Sequence, residues 1–362
     1  MRILYFLRSG LIILAVTVGL CAVTCAQSSP ADVGSNSPSQ PTASQAPARA
    51  NQEPAPDQAA QPSAPAQDAQ QQPQQPSNPD SSGEDAGRFV FRKQVQEVVL
   101  HATVVDASGR LVTSLDRNAF SVFQNGAAEQ ITSFRREDVP VAIGIVIDNS
   151  GSMRDKRERV NQAVLNLIHA SNPQDEIFVV NFGQNSYLDQ DFTSDVNLLQ
   201  AALHKVSTRG STALYDAVVA SANHLRNDRQ LNKKVLLVVT DGQDNMSRET
   251  LQEAMHDLQP SKGVTVYAIG LTDEGFTPAA REALQRLATA TGGVAYFPQS
   301  LDEVDSITRT VAHDIRSQYT LAYKPPGSEK GYQTIRVEAR SPQGGQLTVR
   351  TRAGYYPGES VR

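Results

Sequence analysis

The chain has 362 residues, a formal net charge of −5 at pH 7 and 39% hydrophobic residues. Such mild acidity offers no basic surface for nucleic acid. Tryptophan is absent and aromatic residues make up 6% of the chain, so stacking platforms for sugars or bases are not indicated. Both cysteines lie within the first 26 residues, so the rest of the chain has no disulfide and depends on an ordinary hydrophobic core.

Residues 1–26 are predicted to be a secretory signal peptide. Arg2 and Arg8 supply positive charge, an apolar run covers residues 10–20, and Thr24-Cys25-Ala26 offers small residues for cleavage. An uncleaved membrane anchor is the alternative, although the run is short for a membrane span. We therefore expect an exported protein, in the periplasm, at the cell surface or outside the cell. It would contact a membrane only if this segment stays uncleaved.

Residues 27–88 are predicted to be a disordered linker. The segment is rich in Pro, Gln, Ala and Ser, and it contains no aromatic residue. Such a composition cannot bury enough apolar surface to offset the entropy lost on folding. Its simplest role is that of a tether.

Residues 89–138 and 317–356 are both predicted to form β-strands. Apolar and polar residues alternate in each segment, and turn residues such as Asn125-Gly126 separate the runs. We expect these two flanks to combine into one small β-sandwich, which would bring the ends of the folded region together.

Residues 139–316 alternate between strand and helix patterns. Apolar runs predict strands near residues 141–147, 177–180, 235–239 and 264–269, and helical spacing of apolar residues lies between and after them. This alternation predicts an α/β fold with a doubly wound, mostly parallel sheet.

The run Val141–Ile147 predicts a strand that is buried on both faces, as a central strand of a parallel sheet would be. Asp148, Ser150 and Ser152 follow it at alternate positions, where a tight loop can turn all three toward one point. Ligands of open α/β sheets bind outside the carboxyl ends of the strands. Oxygen donors without His or Cys suit Mg²⁺ or Mn²⁺ and not zinc or copper.

Two further residues complete the pattern. Thr212 opens a helical segment, and Asp241 follows the apolar run that ends at Thr240. Together with Asp148-x-Ser150-x-Ser152, they resemble the metal-ion-dependent adhesion site of von Willebrand factor type A (VWA) domains. The resemblance covers residues 139–316 and implies a domain that binds protein ligands through a divalent cation. The flanking segments, with their Asn125-Gly126 turn, look like those of VWA-related proteins typical of acidobacteria.

The charges of these five residues fit that function. Three neutral hydroxyls and two carboxylates would leave a divalent cation only partly neutralised, and Mg²⁺ seeks six oxygen ligands. One coordination position would stay open to an anion. A Glu or Asp side chain of a partner protein is the natural ligand for it.

Simpler roles compete for the same residues. Asp148 and Asp241 could be loop caps that accept backbone N–H groups. Either Ser211 or Thr212 could cap the helix that follows while the other binds the ion. Among their neighbours, Asp216 is expected to be an exposed helix charge and Asp244 a turn residue, while glycines at 151, 210 and 242 would allow close backbone approach.

Two other functional classes compete with a metal-dependent binding module. A hydrolase using Ser150 or Ser152 as nucleophile would need a nearby base, and most of the six histidines lie in strand or helix patterns away from the motif. We therefore expect no catalytic residue. The last class is an envelope assembly scaffold whose metal site is structural.

Overall fold

The computed structural model describes residues 97–136, 138–205, 208–227, 231–259, 263–272, 276–327, 330–342 and 344–357. The predicted signal peptide and linker, and the first residues of the amino-terminal flank, lie outside these ranges. Within them, no helix has the length and apolarity needed to cross a membrane.

The described elements come in three groups along the chain. The first group consists of strands alone: β1 (Val98–Asp106), β2 (Phe120–Gln124), β3 (Ala127–Glu129) and β4 (Ile131–Arg135). The second alternates strands and helices: β5 (Val141–Asp148), α1 (Arg157–His169), β6 (Glu176–Phe182), β7 (Ser186–Thr193), α2 (Val196–His204), α3 (Leu214–Asn227), β8 (Lys233–Thr240), α4 (Leu251–Asp257), β9 (Thr265–Gly270), α5 (Pro278–Thr291), β10 (Ala295–Tyr296) and α6 (Glu303–Arg316). The third again consists of strands: β11 (Tyr319–Tyr323), β12 (Gln333–Ala339), β13 (Leu347–Arg350) and β14 (Gly354–Tyr355).

The second group forms a six-stranded sheet in the order β10-β9-β8-β5-β6-β7. All pairs are parallel except β6 with β7, at one edge. Every residue of β5 and of β8 is buried, which explains the apolar runs at 141–147 and 235–239. One core packs α1, α2 and α6 against one face, and a second core packs α3, α4 and α5 against the other. The predicted doubly wound α/β fold is confirmed.

The first and third groups form two four-stranded sheets, with strand orders β13-β1-β11-β4 and β14-β12-β2-β3. The sheets share one hydrophobic core, in which the rings of Phe120 and Tyr319 lie 4.8 Å apart between centroids. Across it, the Tyr323 hydroxyl donates a hydrogen bond to Gln124 Oε1 at 2.7 Å. The two flanks therefore combine into a small β-sandwich, as predicted.

The turn at Asn125-Gly126 is also as predicted, and both residues have positive φ, 50° and 84°. The turn leads into the three-residue β3, which pairs with β2, whereas β4 lies in the opposite sheet beside β11. Leu111 forms only a single antiparallel bridge, with Val105.

The α/β domain is inserted between neighbouring strands of the sandwich. The chain leaves β4 at Arg135 and returns in β11, where Thr320 is the pairing partner of Arg135. In the same sheet β1 runs antiparallel to β11, with Val98 opposite Tyr323 and Ala102 opposite Tyr319. The returning helix α6 is tied to the sandwich by an ion pair at 2.8 Å between Asp314 and Arg350 of β13.

Candidate metal centre

The five predicted ligands converge on the carboxyl edge of the central sheet. Asp148 is the last residue of β5, and Asp241 directly follows the neighbouring strand β8. A cleft of about 910 Å³ lies at this edge, and its lining includes Ser150, Ser152, Thr212 and Asp241. Asp148 is fully buried beside it. Parallel neighbours end at the same edge of a sheet, so sequence-distant polar residues meet here.

The carboxylate of Asp148 is held by two donors. Its Oδ1 accepts from the backbone N–H of Ser150 at 2.7 Å, and its Oδ2 accepts from the hydroxyl of Thr240 at 2.6 Å. Burial raises the pKa of Asp148 against the opposing effect of these hydrogen bonds. Thr240 has no part in the predicted motif, yet it fixes the orientation of this carboxylate.

A chain of hydroxyl contacts connects the first loop to Asp241. The hydroxyls of Ser150 and Ser152 lie 3.1 Å apart, and Ser152 donates to Asp241 Oδ1 at 2.8 Å. The other carboxylate oxygen of Asp241 accepts from the ammonium group of Lys156. The Asp241 side chain is fully buried, so this ion pair is shielded from water. Sequence reasoning missed Lys156.

Thr212 is joined to the loop that follows Asp241. Its N–H donates to the side-chain oxygen of Asn245 at 2.9 Å, and its carbonyl accepts from Asn245 N–H at 3.0 Å. A Cβ atom on Gly242 would lie 3.5 Å from the Thr212 hydroxyl oxygen. The Thr212 side chain therefore lies beside the residue next to Asp241, and the three predicted loops meet at one cleft.

The start of α3 is capped differently from the prediction. Neither Ser211 nor Thr212 is its cap, because the helix begins only at Leu214. Its first free N–H groups are bound by the following loop instead: Asp244 accepts from Tyr215 N–H at 3.1 Å, and the Ser247 hydroxyl accepts from Asp216 N–H at 3.1 Å. Asp244 is thus both the predicted turn residue, accepting from Ser247 N–H at 3.2 Å, and a helix cap.

Asp216 is not the exposed helix charge that we expected. Its carboxylate is partly buried and accepts from the backbone N–H groups of Arg248 and Glu249 at 3.0 Å each. This contact forms only when α3 and the loop come together in the folded state. The sequence near Asp216 therefore does not predict it. The contact ties the loop after Asp241 to the helix after Thr212.

The three glycines around the cleft differ in what they require. Gly210 has φ +81°, a conformation that other residues rarely adopt, and its carbonyl accepts from Gly151 N–H at 3.4 Å. By contrast, a Cβ on Gly151 would meet no atom within 4 Å. Glycine is therefore required at 210 by its backbone conformation and not by the close approach that we expected, and Gly151 needs neither.

The polar side chains at the cleft offer oxygen donors only. Within the described ranges, no three His, Cys, Asp or Glu side chains are grouped as metal ligands. The cleft brings together hydroxyl and carboxylate oxygens, which Mg²⁺ and Mn²⁺ accept and soft metals do not prefer. No histidine lines the cleft, and neither Ser150 nor Ser152 has a histidine as hydrogen-bond partner among the described residues.

Comparison with protein families adds an independent observation. Residues 143–243 match the family model described as von Willebrand factor type A domain. This segment extends from β5 to the loop after β8 and contains all five predicted ligands. The resemblance of this segment to a VWA domain is confirmed. Domains of this family are typically interaction modules and not enzymes.

Comparison with curated proteins finds no match. Among solved structures, the chain is similar to proximal thread matrix protein 1 from the mussel byssus with a zinc-occupied MIDAS motif. The identity is 20%, the coverage 53% of this chain and 50% of that one, and the TM-score 0.44. A von Willebrand factor type A protein from Catenulispora acidiphila has 14% identity, coverage of 74% and 76%, and a TM-score of 0.44. An aerotolerance-related membrane protein from Bacteroides fragilis has 17% identity, coverage of 48% and 98%, and a TM-score of 0.41.

The chain spans about half the length of the mussel protein. At identities of 20% or less and TM-scores below 0.5, these likenesses assign neither ligand nor partner to this chain.

Proposed function

We propose that the VWA domain binds Mg²⁺ or Mn²⁺ through Asp148, Ser150, Ser152, Thr212 and Asp241, directly or through water. The bound ion would hold an acidic side chain of a partner protein. The observation that carries this proposal is the continuous set of contacts Ser150–Ser152–Asp241 in the same cleft as Thr212. This arrangement joins residues from three separate loops.

The open side of the cleft supports the carboxylate part of the proposal. The cleft faces solvent beside Ser152, which is exposed, while Asp148 and Asp241 are buried below it. An ion held from below by protein oxygens would keep a coordination position toward solvent. An incoming carboxylate can fill that position. It would neutralise positive charge that the uncharged hydroxyls leave on the ion.

The proposal also includes export of the protein and the family relationship of its flanks. The signal-like residues 1–26 and the linker composition of residues 27–88 favour a protein tethered outside the cytoplasm. We propose that the flanks are similar to those of VWA-related proteins typical of acidobacteria. This part of the proposal is based on sequence motifs alone.

The metal is tested first. Mg²⁺ or Mn²⁺ should raise the melting temperature of the purified protein, because a ligand that binds only the folded state stabilises it by mass action. Asp148→Ala should abolish that rise. Isothermal titration calorimetry that detects no binding of either ion by the wild-type protein would refute the proposal.

The partner is tested by capture from an envelope fraction with and without EDTA. Thr212→Ala and Asp241→Asn should weaken capture, and excess Mg²⁺ should reverse the effect of EDTA but not of the substitutions. Asp241→Asn is preferred to alanine because it fills the space beside Lys156. Metal-dependent turnover of an ester, phosphate or peptide substrate, lost in Ser150→Ala, without metal-dependent capture would instead indicate a hydrolase.

A further inference from the structure

We infer that Lys156 tunes the charge of the metal centre: its ammonium group neutralises Asp241, which weakens cation binding and leaves the bound ion more attractive to a carboxylate. This inference rests on the proposed function, and it assigns a role to a residue outside the five-residue motif.

Lys156 is held in place by its backbone as well as by its ion pair. Its N–H donates to the Met153 carbonyl at 3.0 Å, and its own carbonyl accepts from Val160 N–H at 3.1 Å. The Lys156 side chain is 16% exposed and the side chain of Asp241 is fully buried. The ammonium group is therefore held at Asp241, which lines the cleft, and is not a freely moving surface charge.

Helix energetics does not explain a lysine at this position. Lys156 is the N-cap residue of α1 and makes no side-chain capping hydrogen bond. Helix amino termini favour Ser, Thr, Asp or Asn as caps, and their dipole disfavours a positive charge. The ion pair with Asp241 is an interaction that stabilises the lysine here.

The consequence follows from counting charges. Asp148 and Asp241 contribute two negative charges when a cation is bound, and Lys156 cancels one of them. Another buried cation, Arg157, donates its guanidinium to Asn181 on β6, and its charge acts on Asp148. Removing the charge of Lys156 would let Asp241 act fully on the metal. The ion would bind more tightly and would attract an anion less.

The experiment compares Lys156→Gln with Arg154→Gln. Arg154 is exposed and lies two residues earlier, so both substitutions remove one positive charge from the same turn. Calorimetric titration with Mn²⁺ should show binding at least about tenfold tighter in Lys156→Gln, within the range of ordinary couplings between sites. Arg154→Gln should stay close to wild type. Lys156→Arg keeps the charge and should also stay close to wild type.

The second measurement uses acetate as a probe of the open coordination position. Displacement of water from bound Mn²⁺, followed by water proton relaxation, should require more acetate in Lys156→Gln than in wild type. Thermal melts of the metal-free proteins show whether each variant folds.

The outcomes separate the two hypotheses. Absence of Mn²⁺ binding by wild type refutes the proposed function itself. Wild-type binding with equal or weaker affinity in a folded Lys156→Gln overturns only the inference about Lys156. Equal tightening in Lys156→Gln and Arg154→Gln overturns it too, because the contact with Asp241 would then be irrelevant.

Discussion

Thr240 donates a hydrogen bond of 2.6 Å to Asp148 Oδ2 and so joins the last residues of the neighbouring strands β8 and β5. The contact lies beside the proposed metal centre, and both side chains are fully buried. The Thr240 hydroxyl fixes Oδ2 of Asp148, and the Ser150 N–H orients the other oxygen, Oδ1. Partners of this kind, which orient a ligand without touching the metal, often set metal affinity.

Thr240→Val should therefore weaken Mn²⁺ binding by about tenfold or more. The isosteric side chain removes the hydroxyl that donates to Asp148 and accepts from Gly242 N–H at 3.2 Å. Calorimetric titration measures the change. Thr240→Ser restores the hydroxyl and should recover most of the affinity. Unchanged affinity in Thr240→Val would mean that Ser150 N–H alone orients Asp148.

Asp216→Ala should release the loop after Asp241 from α3. Two backbone N–H groups, of Arg248 and Glu249, would lose their acceptor. We expect the free energy of unfolding to fall by about 1–3 kcal/mol, as for other lost hydrogen bonds to a charged group. Urea denaturation gives this value, and Mn²⁺ titration should show weaker binding. The matched control is Glu158→Ala on the exposed side of α1, and an equal loss in both variants would contradict the assignment.

Lys233→Met should flatten the dependence of stability on alkaline pH. Burial lowers the pKa of Lys233 from 10.5 to about 8, and the nearby charge of Arg316 adds to the effect. Between these two values the unfolded chain binds more protons than the folded chain, so this group makes stability rise with pH across that window. Urea denaturation across the window measures the slope.

The exposed Lys205→Met serves as the control for that experiment. In Lys233→Met the rise should disappear. Loss of the hydrogen bond from the Lys233 ammonium to the Ile315 carbonyl should lower stability at every pH without restoring the slope. A slope equal to that of the control would show that Lys233 is not the responsible group.

Removal of residues 27–87 should leave the folded region intact. The composition of this segment predicts that it contributes no buried core, and the cores described here consist of later residues. Melting followed by circular dichroism should give the same cooperative transition with and without the segment. A lost or broadened transition would exclude a simple tether.

The sequence predicted the parts of the fold that repeat a simple pattern. The unbroken apolar runs of β5 and β8 identified central strands, and their parallel pairing explains why Asp148 and Asp241 meet. The edge strand β7 was missed because most of its residues are exposed or half-buried without regular alternation. The short α4 was also missed, although its Thr250–Glu253 capping box is a readable signal.

The contacts that complete the site could not be read from local sequence. Lys156 and Asp241 are 85 residues apart, and Asp148 and Thr240 are 92 apart. Such pairs depend on how two loops come together after the sheet has formed. Oxygen-bearing residues at strand ends predicted where a metal could bind, but not which neighbours hold the ligands.

The antiparallel pairing of β1 with β11 has a mechanical consequence. Val98, at the start of β1, lies opposite Tyr323, whereas Tyr319, next to the VWA domain, lies opposite Ala102. If the protein is anchored through its amino-terminal segment while the cleft holds a partner, tension pulls these two strands along their length in opposite directions. Ladder hydrogen bonds run perpendicular to the strands, so this force loads them together instead of opening them one at a time. The sandwich would therefore resist shear while the cleft stays folded under load.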